Sequence, residues 1–290
     1  MIRIAIDWGS STLRAFLFNL QGELEDTLSA PKGIKYVQQK NFEHTLRDAL
    51  AHWIQPGDSV LLSGMITSRN GWLETDYLPC PVDLEQIASH GTHLALSDLN
   101  LIFMPGIKQQ DPADVMRGEE VQLLGAASRL GTGIYITPGT HSKWVHIENN
   151  RLIKFTTLPT GEIFELICQH SLMGKLFTDD QQDQSAFIEG VIKGHGSDQL
   201  LNSLFSNRAS ILLGQRAADC GKQWLSGLLI GSEIREVSKN FDMELPVYLI
   251  GEPALCNQYR EALTAIDINV REIVEDPSLQ GFQKLIRVHN

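Results

Sequence analysis

The chain has 290 residues, enough for two domains with separate cores, and its 42% apolar and 20% charged content is that of an ordinary globular protein, which argues against extended disorder. A net charge of −11 excludes broad binding to nucleic acid or anionic membrane, since both need a basic surface, and no apolar run reaches the length of a membrane span. The opening MIRIAIDWGS reads as a strand and not a signal peptide, and Cys80, Cys168, Cys220 and Cys256 lack metal-ligand spacing, which predicts reduced thiols in a cytoplasmic protein.

Residues 2–7 form an apolar strand. WGSST turns the chain into a second strand, LRAFLFNL, and the NLQG turn leads to a third, ELEDTLS, so the start is an antiparallel meander. From Asn41 to Trp53 the period becomes helical, with Phe42, Leu46, Ala49, Leu50 and Trp53 on one face. SVLLSG at 59–64 and NLIFMPG at 100–106 are buried strands, and this alternation after a meander predicts an α/β fold. GMITSRNGWLETDYLPCP at 64–81 is a polar loop with aromatic anchors. Gly118 starts a helix in VMRGEEVQLLGAASRL, where Glu120 points the same way as Leu123, Leu124 and Ala127, with Glu119 at the edge of that face. Burial there would raise the pKa of Glu120 toward a value useful in a general base, while the helix dipole pulls the other way. That both glutamates merely complement the helix N-terminus is the competing explanation.

Laying residue 4 on residue 134 aligns IAIDWGSSTLRAFLFN with IYITPGTHSKWVHIEN without a gap. Ile4/Ile134, Ile6/Ile136, Gly9/Gly139 and Asn19/Asn149 are identical, and each segment is followed by a third strand. Such a repeat predicts two similar domains, over 1–130 and 131–290. In the second, 163–173 and 223–237 are helical, 246–251 is a buried strand and 253–265 a helix. A terminal helix at 277–288 is expected to pack back on the first domain.

Two turns carry the chemistry. In the first, Asp7, Gly9, Ser10, Ser11, Thr12 and Arg14 combine a close-approach glycine, hydroxyl and N–H donors, a cation, and a carboxylate able to hold Mg²⁺ through water. A polar hairpin is the alternative. In the second, Gly139, Thr140, His141, Ser142 and Lys143 repeat the device with a second cation, although His141 would also serve as a turn cap. Gly251 ends a buried strand where a nucleoside could lie against the backbone. Gly227 and Gly231 stand four apart in a helix, which suits close approach of adenine or of another helix. Ser68, Arg69, Gly71 and Trp72 of the polar loop, with Arg117, are candidates for holding a polyol carboxylate.

Taken in order, AIDWGSSTLRAFL, GMITSRNGWLETDYLPCP, MPGI, DVMRGEEVQLLGA, TPGTHSKWV, TLPTGEIFELI, WLSGLLIGSEI and LIGEPALCNQYREAL resemble the 2-dehydro-3-deoxygalactonokinase family over nearly the whole chain. RGEE with PGTHSKW is the most specific part. The resemblance implies an α/β fold of two actin/hexokinase-like (ribonuclease H-like) domains with an interdomain active-site cleft. It implies transfer of the ATP γ-phosphate, with Mg²⁺, to the 6-hydroxyl of 2-dehydro-3-deoxy-D-galactonate in D-galactonate breakdown. Asp7 to Arg14 correspond to the first phosphate motif, Pro138 to Lys143 to the second, and Gly251 to the adenosine motif. The RGEE stretch lies where related phosphatases of this superfold keep a catalytic glutamate, which favours Glu120 or Glu119. Ser11-Thr12 stands where Thr-Asn is common, and GEPAL replaces a more glycine-rich adenosine loop. A kinase or phosphatase acting on another sugar acid, or a non-catalytic ATP-binding actin-like protein, are the alternatives, and a homodimer is compatible with either.

Overall fold

The computed structural model describes residues 2–178 and 183–289, and the chain divides into two compact units. The first contains the chain up to Gly131, the segment Ile147–Lys154, and the chain from Asp276 onward. The second contains Thr132–His146 and Phe155–Glu275. Among the described residues no helix is long and apolar enough to cross a membrane.

In the first unit, β1 (Ile2–Trp8), β2 (Leu13–Phe18) and β3 (Leu24–Ala30) form the meander. Helix α1 (Phe42–Ala49) precedes β4 (Ser59–Ser63). Asn41 caps α1 by accepting from the His44 N–H, and the helix stops at Ala49, short of Trp53. Then come β5 (Tyr77–Pro79), β6 (Val82–Asp83), α2 (Leu84–Ser89), β7 (Thr92–Ala95), β8 (Asn100–Phe103), β9 (Gly106–Gln110), β10 (Ala113–Met116) and α3 (Glu119–Leu130). The main sheet runs β3-β2-β1-β4-β8-β7, with β4 parallel to β1 and β8 parallel to β4. Its core joins Ile4, Ile6 and Trp8 to Phe42, Leu46, Leu62 and Phe103. A small sheet, β10-β9-β5, takes in the end of the polar loop.

The second unit has β11 (Gly133–Thr137), β12 (Ser142–Glu148), β13 (Arg151–Leu158), α4 (Thr160–His170), α5 (Gln184–His195), α6 (Leu200–Leu212) and α7 (Gly221–Val237). These are followed by β14 (Val247–Ile250), α8 (Pro253–Thr264) and β15 (Val270–Val274). Its strands run β13-β12-β11-β14-β15, with β14 parallel to β11 and β15 parallel to β14. This is the neighbour order of β3-β2-β1-β4-β8, so the internal repeat is a repeat of topology. The tip of the β12–β13 hairpin groups with the first unit, where Arg151 and Leu152 pair with Asp83 and Val82.

Glycines fix two helix contacts. On α5, a Cβ at Gly190 would lie 2.2 Å from the Trp224 carbonyl oxygen, and at Gly194 2.2 Å from that of Leu228. On α7, Gly227 and Gly231 meet the carbonyls of Phe187 and Val191 at 1.9 and 2.2 Å. Gly227 and Gly231 therefore serve a helix–helix contact. The terminal helix α9 (Pro277–His289) belongs to the first unit: Gly281 and Gly125 let α9 and α3 touch backbone to backbone, and Phe282 packs on Phe16.

Candidate active site

In the first unit, the parallel pairing of β1 with β4 sets Asp7 beside Ser63 at the same sheet edge. Gly64 follows, and a Cβ there would sit 3.1 Å from Asp7 Oδ1 and 2.9 Å from the Trp8 carbonyl. Gly118, at the start of α3, lies against Gly64 in turn. The α3 acids thus meet the strand ends. Ser63 Oγ donates to Glu120 Oε1 at 3.0 Å, and the Gly118 N–H donates to Glu120 Oε2 at 2.5 Å. Glu120 is fully buried, and burial together with the neighbouring Glu119 pushes its pKa up to about 7, against the pull of those donors. Glu119 is partly exposed and accepts from the Arg117 N–H at 3.1 Å.

The first turn is tied down from outside. The N–H groups of Gly33, Ile34 and Lys35 donate to the carbonyls of Ser11, Gly9 and Ser10, and Trp8 Nε1 donates to the Lys32 carbonyl at 2.7 Å. Ser10, Ser11 and Thr12 stay exposed, so their hydroxyls remain open to a ligand. Arg14 pairs with the Asp7 carboxylate through Nη2 and contacts Ser278 Oγ at 3.4 Å. No group of three metal-ligating side chains occurs among the described residues. Asp7 nevertheless suits Mg²⁺, an ion that takes one or two carboxylates and completes its shell with phosphate and water.

The substrate candidates fall out differently. Arg117 donates Nη1 to Thr67 Oγ1 (2.5 Å) and Thr75 Oγ1 (2.6 Å) and Nη2 to the Thr75 carbonyl (3.0 Å), and it stacks on Tyr77 with 4.3 Å to the ring centroid. Its fork is spent on ordering the 64–77 loop, so a bidentate carboxylate grip would have to displace these bonds. Trp72 packs into the core between Phe42 and Phe103, with centroids at 6.4 and 5.8 Å, because its ring extends the β1/β4 core. Ser68 Oγ donates to the Met65 carbonyl at 2.7 Å, and Gly71 is required by the nearby Ile66 carbonyl. Arg69 is the exposed member, 3.4 Å from Glu74.

The second unit holds an open cavity of about 1200 Å³. One end is walled by Pro138, Gly139 and Thr140 and by the start of α4 at Thr160 and Gly161. A Cβ at Gly161 would fall 2.5 Å from the Gly139 carbonyl, so glycine seats the α4 N-terminus, a site that favours anions, against the turn. Thr137, which aligns with Asp7 in the repeat, has a buried hydroxyl without a hydrogen-bond partner. The other walls are one face of α7 (Lys222, Gln223, Ser226) and one of α8 (Leu255, Gln258, Glu261). Gly251 turns the chain from β14 toward α8 with φ +141°, Glu252 caps α8 by accepting from the Leu255 N–H at 2.8 Å, and Pro253 takes the first helical position. The GEPAL departure is thus a helix start. His141 pairs with Glu162 at 2.8 Å, and Lys143 is buried and lies outside the cavity lining, with Nζ 3.5 Å from the His141 carbonyl.

Beneath the turn lies Glu233 of α7, fully buried. It accepts from Trp144 Nε1 (2.7 Å) and Tyr259 OH (2.9 Å), and the hydroxyls of Ser142 and Thr160 also bond to it. Burial raises its pKa against these four donors. One carboxylate therefore joins β12, α4, α7 and α8 around the cavity floor. Sequence reasoning missed Glu233, Ser63, Thr160 and Gly161. The signal for the last two was the PTGE helix start.

A family model described as 2-keto-3-deoxy-galactonokinase matches residues 7–285. The 2-dehydro-3-deoxygalactonokinase of Escherichia coli K12 is 32% identical over 280 residues, covering 96% of this chain and 94% of its own. A crystal structure described as a 2-dehydro-3-deoxygalactonokinase protein from Sinorhizobium meliloti superposes with a TM-score of 0.90 at 33% identity, over 98% of this chain and 97% of its own. The activator of 2-hydroxyisocaproyl-CoA dehydratase from Clostridium difficile, solved with bound ADPNP, is 14% identical and shares the fold at a TM-score of 0.51, over 100% of this chain and 95% of its own. The fold is accordingly the actin/hexokinase-like α/β class, and the chain belongs to the 2-keto-3-deoxy-galactonokinase family.

Proposed function

We propose that this chain phosphorylates 2-dehydro-3-deoxy-D-galactonate at its 6-hydroxyl with ATP, giving the 6-phosphate and ADP. The observation that carries this is membership of the kinase family across residues 7–285, with a relative of that named activity covered almost end to end. The nucleotide is assigned to the second unit, whose cavity is walled by a glycine-hydroxyl turn, a helix N-terminus and two helix faces. ADPNP bound to a protein of this fold supports that assignment.

Catalysis by such a site is chiefly positioning and charge neutralisation, because phosphoryl transfer asks little covalent chemistry of the protein. Gly139, Thr140 and the first turn of α4, which line the cavity, hold phosphate oxygens. In the first unit Gly9 to Thr12 offer donors, and Arg14, released from Asp7, neutralises phosphate charge. Asp7 would hold the Mg²⁺ that accompanies ATP, and the ion would lower the charge on the phosphates. Glu119, the α3 acid that reaches solvent, accepts the proton of the sugar hydroxyl. Glu120 beneath it holds the strand end and helix start in register through Ser63 and Gly118. Arg117 orders the 64–77 loop, which leaves exposed Arg69 to meet the sugar-acid carboxylate. Four cysteines outside any disulfide suit a reducing, cytoplasmic setting.

The test is an ADP-release assay with Mg-ATP and 2-dehydro-3-deoxy-D-galactonate, run beside the gluconate epimer. Turnover preferring the galactonate compound is expected. ATP binding without turnover of either would leave the nucleotide site standing and remove the substrate, and sugar-independent ATP hydrolysis would mark a phosphatase.

A further inference from the structure

Helix α6 is apolar on two faces. Its inner face sends Leu204, Ser203 and Asn207 into the second unit, where Leu204 joins the cluster around Trp224 and Leu228. Its outer face carries Leu201, Phe205 and Leu212, which at 3.6 residues per turn fall within about 40° of one another. Leu201 is 83% exposed, and Phe205 and Leu212 are each over 60% exposed. Leu213 follows directly, and Leu172 is held beside the helix by the Arg208 guanidinium, which donates to its carbonyl oxygen; both are as exposed as Phe205. A surface helix is expected to be polar on its outer side, so this row requires a cover.

We infer that the outer face of α6, with Leu172 and Leu213, is the interface through which two copies of this chain associate. Two observations favour a second copy. The first is area: five side chains this exposed present on the order of 500 Å² of removable apolar surface. A standard interface buries about 800 Å² per partner, roughly 65% of it apolar in homodimers, so the row supplies what one half of a stable dimer needs. The second is charge. The chain carries a net charge of −11, yet residues 199–218 contain no acidic side chain. Asp198, just outside, is already paired with Arg235 and Lys239. Helix α6 itself therefore adds no acid-on-acid repulsion when two copies bring it together. A two-fold axis across α6 sets Leu201 and Phe205 of one copy near Leu212 of the other, because such an interface uses the same patch twice.

The experiment is sedimentation velocity on the full chain over a concentration series, beside Leu201→Glu combined with Phe205→Glu. Wild type is expected to sediment as two chains, and the double variant as one, its association weakened by a factor of about 100 or more. Circular dichroism should match, since both side chains already face water. If the double variant fails to fold, Leu212→Gln is measured the same way and should also weaken association. A wild type that stays a single chain throughout, or a folded variant that pairs as tightly as wild type, would overturn the assignment. The readout is mass and not turnover, so it stands apart from the proposed activity.

Discussion

At the residue scale, the two acids that open α3 have opposite environments one position apart. Glu119 reaches solvent, while Glu120 is sealed and keeps its proton up to about pH 7. The ordinary value is 4.5, so between about pH 4.5 and 7 the unfolded chain releases a proton that the folded chain retains. Stability from this group is complete below pH 4.5 and is lost as pH rises through 7, on the order of 3 kcal/mol in all. Glu120→Gln is therefore expected to gain stability at pH 8 and little at pH 5, measured by urea unfolding at both. Glu119→Gln should leave stability nearly unchanged and lower kcat by about 10²–10⁴, with KM for ATP hardly moved. A Glu119→Gln enzyme with full turnover would take that side chain out of the proton-transfer role.

At the element scale, α5 and α7 are welded by four glycines, and the weld tests itself. Replacing Gly227 by Ala raises intrinsic helix propensity by about 1 kcal/mol, yet the new methyl would fall 1.9 Å from the Phe187 carbonyl. The helices must part, and we expect a net loss of about 1–3 kcal/mol in calorimetry despite the better propensity. Which elements were legible follows from their physics. The meander of β1 to β3 and its copy in β11 to β13 showed because strand, glycine turn and strand recur without a gap, and α3 showed by its apolar spacing. Helix α6 did not, since a helix apolar on two faces has little 3.6-residue contrast. The α7 and α8 walls of the cavity were hidden for the opposite reason: Lys222 and Ser226, like Gln258 and Glu261, are polar residues at helical spacing and look like solvated faces. Arg117 and Trp72 were visible as residue types, but their partners Thr67, Thr75, Phe42 and Phe103 come from other elements, so their roles could be seen only once the chain was folded.

At the scale of the whole molecule, the first unit is built from three separate stretches of chain, the last being α9. Val121, Gly125 and Phe16 are its seat, and Leu285, Ile286 and Phe282 are buried there. A chain ending at residue 275 should therefore lose stability in the first unit, by several kcal/mol given three buried large side chains, while the second unit's own core is untouched. Differential hydrogen exchange would read this: protection should fall in β1, β2 and α3 and persist in β11 and β14. Equal protection in both units would mean that α9 is dispensable.

The same arrangement sets an order of events on the ribosome. Synthesis of the first unit begins at β1 but cannot finish until α9 emerges, after the whole of the second unit has been made. At translation rates of about 5–20 residues per second, the intervening stretch of about 140 residues takes on the order of 10–30 s. Throughout that interval the glycine-lined face of α3 waits without its partner, next to the acids that the proposed chemistry uses. The nascent first unit should therefore hold its sheet early and acquire the finished α3 face only once α9 has emerged.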